Sequence, residues 1–385
     1  HKDDASQDAA STKKDLIEDM SKKAESEPQK TNIPGDPEAK QGTVQKGDAP
    51  ASSETEVPSE EKGTDRKASE EKETGGPTGV LVMPPVPTKE PIVNSDWLYW
   101  RGPIGSGVSR QTGLPDALDL NDSSLLWTHE IQGGGVPVAA GGRLYHFGYY
   151  GVTGDLQEAL ICMDALSGKV LWERRYSDFL SDIVYNRYGV GAACVDGETG
   201  NVYFQTSTGL LLGFDKDGKS LWERSLMEEF SRLTFPNGRT GGPCVDGDLI
   251  IIHAITANWG SNGPARDRFY AFDKHTGDLV WFSTPGITPK DSSFAPLIFE
   301  DLSDGRRVFY SGTGCGNVVC IDARTGQPLW RFQMSHGGVN SGGILHDDVV
   351  VAVHGKENLD ATDIGRMVAI KKPAALPGPG EPALI

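Results

Sequence analysis

Residues 318–330 read VVCIDARTGQPLW, and the order of residue types in this stretch decides the fold. Apolar residues come first, then Asp322, a polar turn closed by Gly326, and a second strand ending in Trp330. An Asp at the head of a turn can accept hydrogen bonds from the amides just beyond it, and Gly supplies the positive φ that closes the turn without a Cβ clash. The stretch therefore predicts a β-hairpin. Residues 160–172 (LICMDALSGKVLW), 211–222 (LLGFDKDGKSLW) and 269–281 (FYAFDKHTGDLVW) repeat it, and 367–371 (MVAIK) repeats its first half. Asp164, Asp215, Asp273 and Asp322 align, as do Gly168, Gly218, Gly277 and Gly326.

The tryptophans carry the period. Trp127, Trp172, Trp222, Trp281 and Trp330 are separated by 45, 50, 59 and 49 residues, the longest interval holding an insertion at 258–267 (NWGSNGPARD). Upstream of each copy a second hairpin is expected, at 135–147, 191–204, 241–252, 295–310 and 342–353, where small residues lead through a Gly or Asp turn to a β-branched strand. Two hairpins per period make a four-stranded antiparallel sheet, and its repetition predicts an all-β fold: a β-propeller with about five blades visible over residues 97–371. A solenoid is the structural alternative. One column stays small, Cys162, Gly213, Ala271, Cys320 and Ala369, which suits closely packed sheets. The recurring Trp is expected to fill the outer gap between blades. The last unit, 340–371, has three strands and no Trp strand, whereas 125–131 (LLWTHEI) is a Trp strand without a unit. Their pairing would close the ring and remove its open edges. A fragment of a larger ring is the other reading.

The remainder of the chain differs in kind. All 13 Phe, 8 Trp and 10 Tyr lie at or beyond Trp97. Residues 1–92, without an aromatic, cannot bury enough apolar area to offset the entropy lost on folding, and are expected to form a disordered acidic tail or tether. Residues 372–385 (KPAALPGPGEPALI) are expected to be an irregular Pro/Gly-rich end. The formal net charge is −17, which leaves no electrostatic footprint for nucleic acid or anionic lipid. No apolar stretch approaches the roughly 20 residues of a membrane-spanning helix. Five cysteines without a CxxC spacing argue against a disulfide framework and a structural zinc site, and no metal site is predicted.

The repeat resembles that of the PQQ-binding-like (quinoprotein-like) β-propellers of bacterial envelopes, and residues 100–109 (WRGPIGSGVS) resemble the segment that leads into many of them. The resemblance implies a periplasmic or secreted location and two possible roles. One is a non-enzymatic scaffold with protein partners in the envelope. The other is a PQQ-dependent, alcohol-type dehydrogenase that holds PQQ and calcium near the axis with carboxylate and Asn ligands, an Arg, a stacking Trp and a vicinal Cys-Cys pair. No Cys-Cys occurs here, so the scaffold is the expected role; no cofactor is predicted, and PQQ with calcium belongs to the alternative. Catalytic residues are not assigned, since no nucleophile, zinc-protease or phosphate-loop motif is present. In a propeller the loops leading into the innermost strands converge at one mouth. Asn186, Arg187, Asn237, Arg239, Lys290 and Asn340 fall on those loops, a donor set suited to a small anionic ligand or a glycan. His253, His336, His346 and His354 lack a ligand spacing and are not expected to bind metal.

Overall fold

A computed structural model describes residues 96–102, 105, 107–109, 111–114, 117, 124–178, 188–230, 241–255, 265–291, 293–373 and 383–384. The chain divides into two units, His1–Leu81 and Val82–Ile385. The first unit lies outside the described residues, and with it the tail expected over 1–92. The second is all-β and built as successive blades. Blade 1 comprises β1 (Val138–Ala140), β2 (Arg143–Tyr150), β3 (Gln157–Asp164) and β4 (Val170–Ser177). Blade 2 comprises β5 (Cys194–Val195), β6 (Val202–Gln205), β7 (Leu210–Phe214) and β8 (Ser220–Ser225). Blade 3 holds β9 (Cys244–Asp246), β10 (Leu249–Ile255), β11 (Asp267–Asp273) and β12 (Leu279–Ser283). Blade 4 holds β13 (Ile298–Asp301), β14 (Arg307–Gly312), β15 (Asn317–Asp322) and β16 (Pro328–Gln333). Blade 5 has three strands, β17 (Ile344–His346), β18 (Val349–Glu357) and β19 (Ile364–Lys371). A last strand, β20 (Ala383–Leu384), adds in parallel to β16, so part of the end expected to be irregular is ordered there. No described helix is long and apolar enough to cross a membrane.

The repeat's turn chemistry forms as its residues dictate. The Oδ1 of Asp164, Asp215, Asp273 and Asp322 accepts two backbone amides from its own turn, as from Thr276 and His275 at Asp273, 2.9 and 2.8 Å away. Gly168, Gly218, Gly277 and Gly326 close these turns at φ +68°, +81°, +74° and +72°. Each Trp then reaches across to the next blade. Trp172 Nε1 donates to the Lys216 carbonyl at 2.9 Å, Trp222 to Lys274 at 3.0 Å and Trp281 to Ala323 at 3.2 Å. The ring lies on that blade's turn glycine, where an added Cβ would fall 2.6 Å (Gly218), 2.8 Å (Gly277) or 2.5 Å (Gly326) from a ring carbon. Burial of an aromatic ring, on the order of 200 Å², contributes at most about 5 kcal/mol per junction.

The small column now has its own cause. Cys162, Gly213, Ala271 and Cys320 stand directly across the ladder from Trp172, Trp222, Trp281 and Trp330, beneath the rings, and a β-bulge follows at the same place in all four sheets. A Cβ on Gly213 would sit 2.9 Å from Trp222 Cε2, so the constraint comes from the blade's own Trp as well as from the neighbouring sheet.

Ion pairs clamp the same three junctions and also the one between blades 4 and 5. Arg143 meets Asp217 at 2.9 Å, Lys274 meets Asp196 at 3.0 Å, Arg307 and Arg324 meet Asp246 at 2.9 and 3.0 Å, and Lys372 meets Glu300 at 2.7 Å. Lys274 and Asp196 are both buried. Burial opposes the Lys274 ammonium, yet the carboxylates of Asp196, Glu198 and Asp248 hold its pKa above the ordinary value. An unpartnered charge there would cost several kcal/mol.

The expected pairing of 125–131 with the last blade does not form. Among the described residues no ladder joins that segment to β19; instead Trp127 sits on blade 1, its Nε1 donating to the Ala165 carbonyl at 3.1 Å and its ring against Gly168. Trp127 therefore takes the place that a preceding blade's Trp would take. Trp330 stands at the other end of the series. It is fully buried but its Nε1 has no acceptor, because blade 5 runs from β19 into Lys371, Lys372 and Pro373 where the other blades have an Asp and Gly turn.

Candidate functional site

The axial end of the blades is organised by a segment that the repeat does not contain. Trp97 exchanges two backbone hydrogen bonds with Ala139 of β1, at 2.7 and 2.9 Å, and the Leu98 carbonyl accepts the Val195 amide of β5 at 2.8 Å. Tyr99 is buried against Cys244 of β9, and burial first, then the neighbouring thiol, pushes its hydroxyl well above the ordinary value. Trp100 packs on the cores of both the first and second junctions. Arg101 Nη1 donates to the Gly343 carbonyl, just before β17, at 2.6 Å. Leu297, just before β13, shares the core that holds Tyr99. These five residues thus reach the innermost strand, or the residues leading into it, in blades 1, 2, 3 and 5, and Tyr99 shares a core with Leu297 of blade 4. The run WLYW shows no alternation because it lies along strand edges instead of on a sheet face.

Of the six residues expected to ring the mouth, Asn186, Arg187, Asn237 and Arg239 lie outside the described residues. Lys290 is exposed, and its backbone amide donates to the Gly314 carbonyl at 3.1 Å. Asn340 Oδ1 accepts the Phe294 amide at 3.1 Å, so its carboxamide ties blade 4's inner loop to blade 5's. No hydrogen bond joins Lys290 to Asn340.

Two buried carboxyls lie at the same strand ends as the mouth loops, where Gly189 and Gly314 meet them. Glu158 of β3 accepts the Gly189 amide at 2.9 Å, the Ser207 amide at 2.7 Å and the Ser207 hydroxyl at 2.6 Å. Burial is the largest influence and pushes it up to about 7, against these hydrogen bonds. Asp267 of β11 accepts the Gly314 amide at 2.5 Å and pairs with His253 Nε2, while His253 stacks on Phe269 at 4.5 Å. Both acids land on the same device in the next blade, a turn in which Thr206 or Thr313 takes back the amide four residues on: T-S-T-G at 206–209 and T-G-C-G at 313–316. Cys315 lies in the second turn, touching Thr313 Oγ1 and Asn317 Nδ2 at 3.1 Å each. Burial, then the Asp267 charge, pushes its thiol up, which suits a packed thiol and not a nucleophile. All five cysteines are free and buried.

A PQQ site with calcium needs converging carboxylate and Asn donors at the axis. Among the described residues no three His, Cys, Asp or Glu side chains come together as a metal would require. Trp97, Leu98 and Tyr99 lie along the inner strand edges of blades 1, 2 and 3. The described residues show no such donor set, and the loops at 179–187, 231–240 and 256–264 lie outside them.

The family described as outer membrane protein assembly factor BamB matches residues 113–254 and 265–368, more than half of the chain. The chain belongs to that family. The gap between the matched stretches of this BamB-family chain falls on the β10–β11 connection, where the interval between tryptophans is longest. Among solved structures the chain is similar to quinohemoprotein alcohol dehydrogenase from Comamonas testosteroni, with 17% identity, a TM-score of 0.48, and 72% of this chain covered against 49% of that one. It is also similar to BamB from Moraxella catarrhalis, with 19% identity, a TM-score of 0.39, and 63% and 61% covered. For a europium-containing methanol dehydrogenase the figures are 11%, 0.42, 72% and 74%. The chain spans about half the length of the Comamonas enzyme. No curated protein matches the sequence.

The parts that sequence reasoning missed had only faint signals. The density of aromatics in WLYW marked residues 97–100 as packed but not where. Glu158 and Asp267 stand at the starts of apolar strands, and T-x-x-G occurs at 206–209 and 313–316 but also at 362–365, where it forms no such turn.

Proposed function

We propose that this chain is a non-enzymatic BamB-family propeller of the bacterial envelope, periplasmic or secreted, that scaffolds contacts between proteins. The observation that carries the reading is the Trp97–Arg101 segment, whose backbone pairs with the inner strands of blades 1 and 2 and whose side chains pack against those of blades 3 and 5, so that the chain itself occupies these inner edges. Membership of a family named for outer membrane protein assembly supports envelope proteins as the class of partner. The contacts of Trp172, Trp222 and Trp281 with the next blade's turn support reading the repeat as a tryptophan-docking motif whose work is rigidity.

The test is reconstitution with PQQ and calcium followed by dye-linked oxidation of short alcohols. A scaffold gives no turnover above protein-free controls. Saturable turnover overturns the reading and restores the dehydrogenase.

A further inference from the structure

Among the outer strands that carry a Trp, blade 3's differs from the rest; blade 5's outer strand β19 is also uncovered but carries Arg366 and Lys371. An open sheet edge is a template for another strand, and proteins blunt such edges with charge or by covering them. Strand β4 carries Glu173, Arg174 and Arg175, and β8 carries Glu223 and Arg224. Strand β16 carries Arg331 and is covered by the chain's own β20, which pairs in parallel through Trp330↔Ala383 and Arg331↔Leu384. Strand β12 reads LVWFS, with no charged residue, and no described strand covers it.

Exposure marks off the covered edge from the other three. The residue before the Trp is 44% exposed in β4 (Leu171), 42% in β8 (Leu221) and 49% in β12 (Val280), but 1% in β16 (Leu329), on the edge that carries the extra strand. Beside Val280, on the same side of β12, Phe282 is 58% exposed although Arg268 and Tyr270 lie against its ring at 5.5 and 6.4 Å. Blade 3 thus presents an unpaired backbone edge with two large apolar side chains next to it. Its neighbour shows the way such an edge is filled.

We infer that the β12 edge, residues 279–283, is a docking site for an extended apolar segment of a partner protein, added as a fifth, parallel strand in the manner of β20 on β16. Main-chain hydrogen bonds to β12 supply affinity, and Val280 and Phe282 select apolar residues in the incoming strand. By the register of β20, a small residue faces Trp281 and a large apolar one faces Phe282. The inference rests on the scaffold reading and names its surface.

The probe is a fluorescent peptide with the sequence of residues 379–385, PGEPALI, titrated against the full chain by anisotropy. Saturable binding is expected, weakened about tenfold or more by Phe282→Glu and by Val280→Lys, and unchanged by Leu171→Glu on the charged edge of blade 1. Amide exchange should slow at 279–283 when the peptide is bound. All three positions are exposed, so thermal melts should match wild type and separate lost binding from lost fold. Equal affinity of the Phe282→Glu protein, or no saturation by ~1 mM peptide, overturns the inference. Self-association of the chain that Phe282→Glu abolishes makes the occupant a second copy and overturns the partner assignment. None of these outcomes touches the scaffold reading, which fails only on PQQ-dependent turnover.

Discussion

Lys274→Met tests whether ion pairs hold the blades together. Lys274 is the hub of the second junction: its Nζ lies 3.0 Å from Asp196 and 3.5 and 3.8 Å from Glu198 and Asp248, and its carbonyl accepts Trp222 Nε1 and the Tyr203 hydroxyl, each at 3.0 Å. Methionine keeps the carbonyl and most of the volume but removes the charge. Glu198 and Asp248 are exposed and lose little. Asp196 is buried, and although the Thr199 hydroxyl and the Glu198 amide still reach it at 2.7 and 3.1 Å, its charge is left without a counter-ion. The cost is about 3 kcal/mol at pH 7, at the low end for a broken buried pair. That corresponds to a melting temperature roughly 6–12 °C lower. Burial alone would raise the Asp196 pKa, but the Thr199 and Glu198 hydrogen bonds and Lys274 hold it below its ordinary value in wild type. The stability this carboxylate contributes is present above that ordinary value and lost as pH falls through the depressed one. In the variant a protonated Asp196 is tolerated, so the deficit should shrink in acid. Denaturant unfolding followed by tryptophan fluorescence measures both quantities. Adding Asp196→Asn should recover at least half of the loss. A Lys274→Met protein within about 1 kcal/mol of wild type at pH 7 would refute the clamp.

Two further outcomes follow from burial and turn geometry. Glu158, raised to about 7 from an ordinary 4.5, binds its proton more tightly folded than unfolded, so its own contribution to stability is greatest below 4.5 and falls as pH rises to 7. The fall is about 3 kcal/mol, and Glu158→Gln should flatten it; an unchanged slope in urea titrations at stepped pH would count against a buried protonated Glu158. Gly218→Ala should destabilise by about 2–4 kcal/mol, from positive-φ strain and from a methyl 2.6 Å from the Trp172 ring. Gly305→Ala, at φ +86° with open space around it, should cost only about 1 kcal/mol, and equal melts for the two variants would mean the ring does not rest on Gly218.

Several parts of the fold were legible because their causes are local. An Asp at the head of a turn and a Gly at its close act on atoms within four residues, so the hairpins around Asp164, Asp215, Asp273 and Asp322 could be read directly. The small column was legible as a constraint but only part of its cause was, since only the ladder register puts Cys162 and Gly213 beneath their own tryptophans. Ring closure through 125–131 was a reasonable reading of strand count and failed because Trp127 has a turn glycine to rest on in blade 1. Blade 5 has none to offer. The candidate mouth residues divide similarly: Asn340 is held by a backbone amide in another blade, a commitment that no sequence pattern announces.

By itself the sequence determined the hairpin, its period and the propeller built from it, because turn chemistry and strand alternation act between near neighbours and are repeated often enough to reinforce one another. Only the tertiary structure decided which surfaces the chain spends on itself. The Trp222–Lys274 and Lys274–Asp196 contacts, the path of WLYWR along the inner strands, and the pairing of β20 with β16 join residues that are far apart in sequence. Nothing local fixes such contacts. They are set by which sheet faces and edges remain unpaired once the blades have packed.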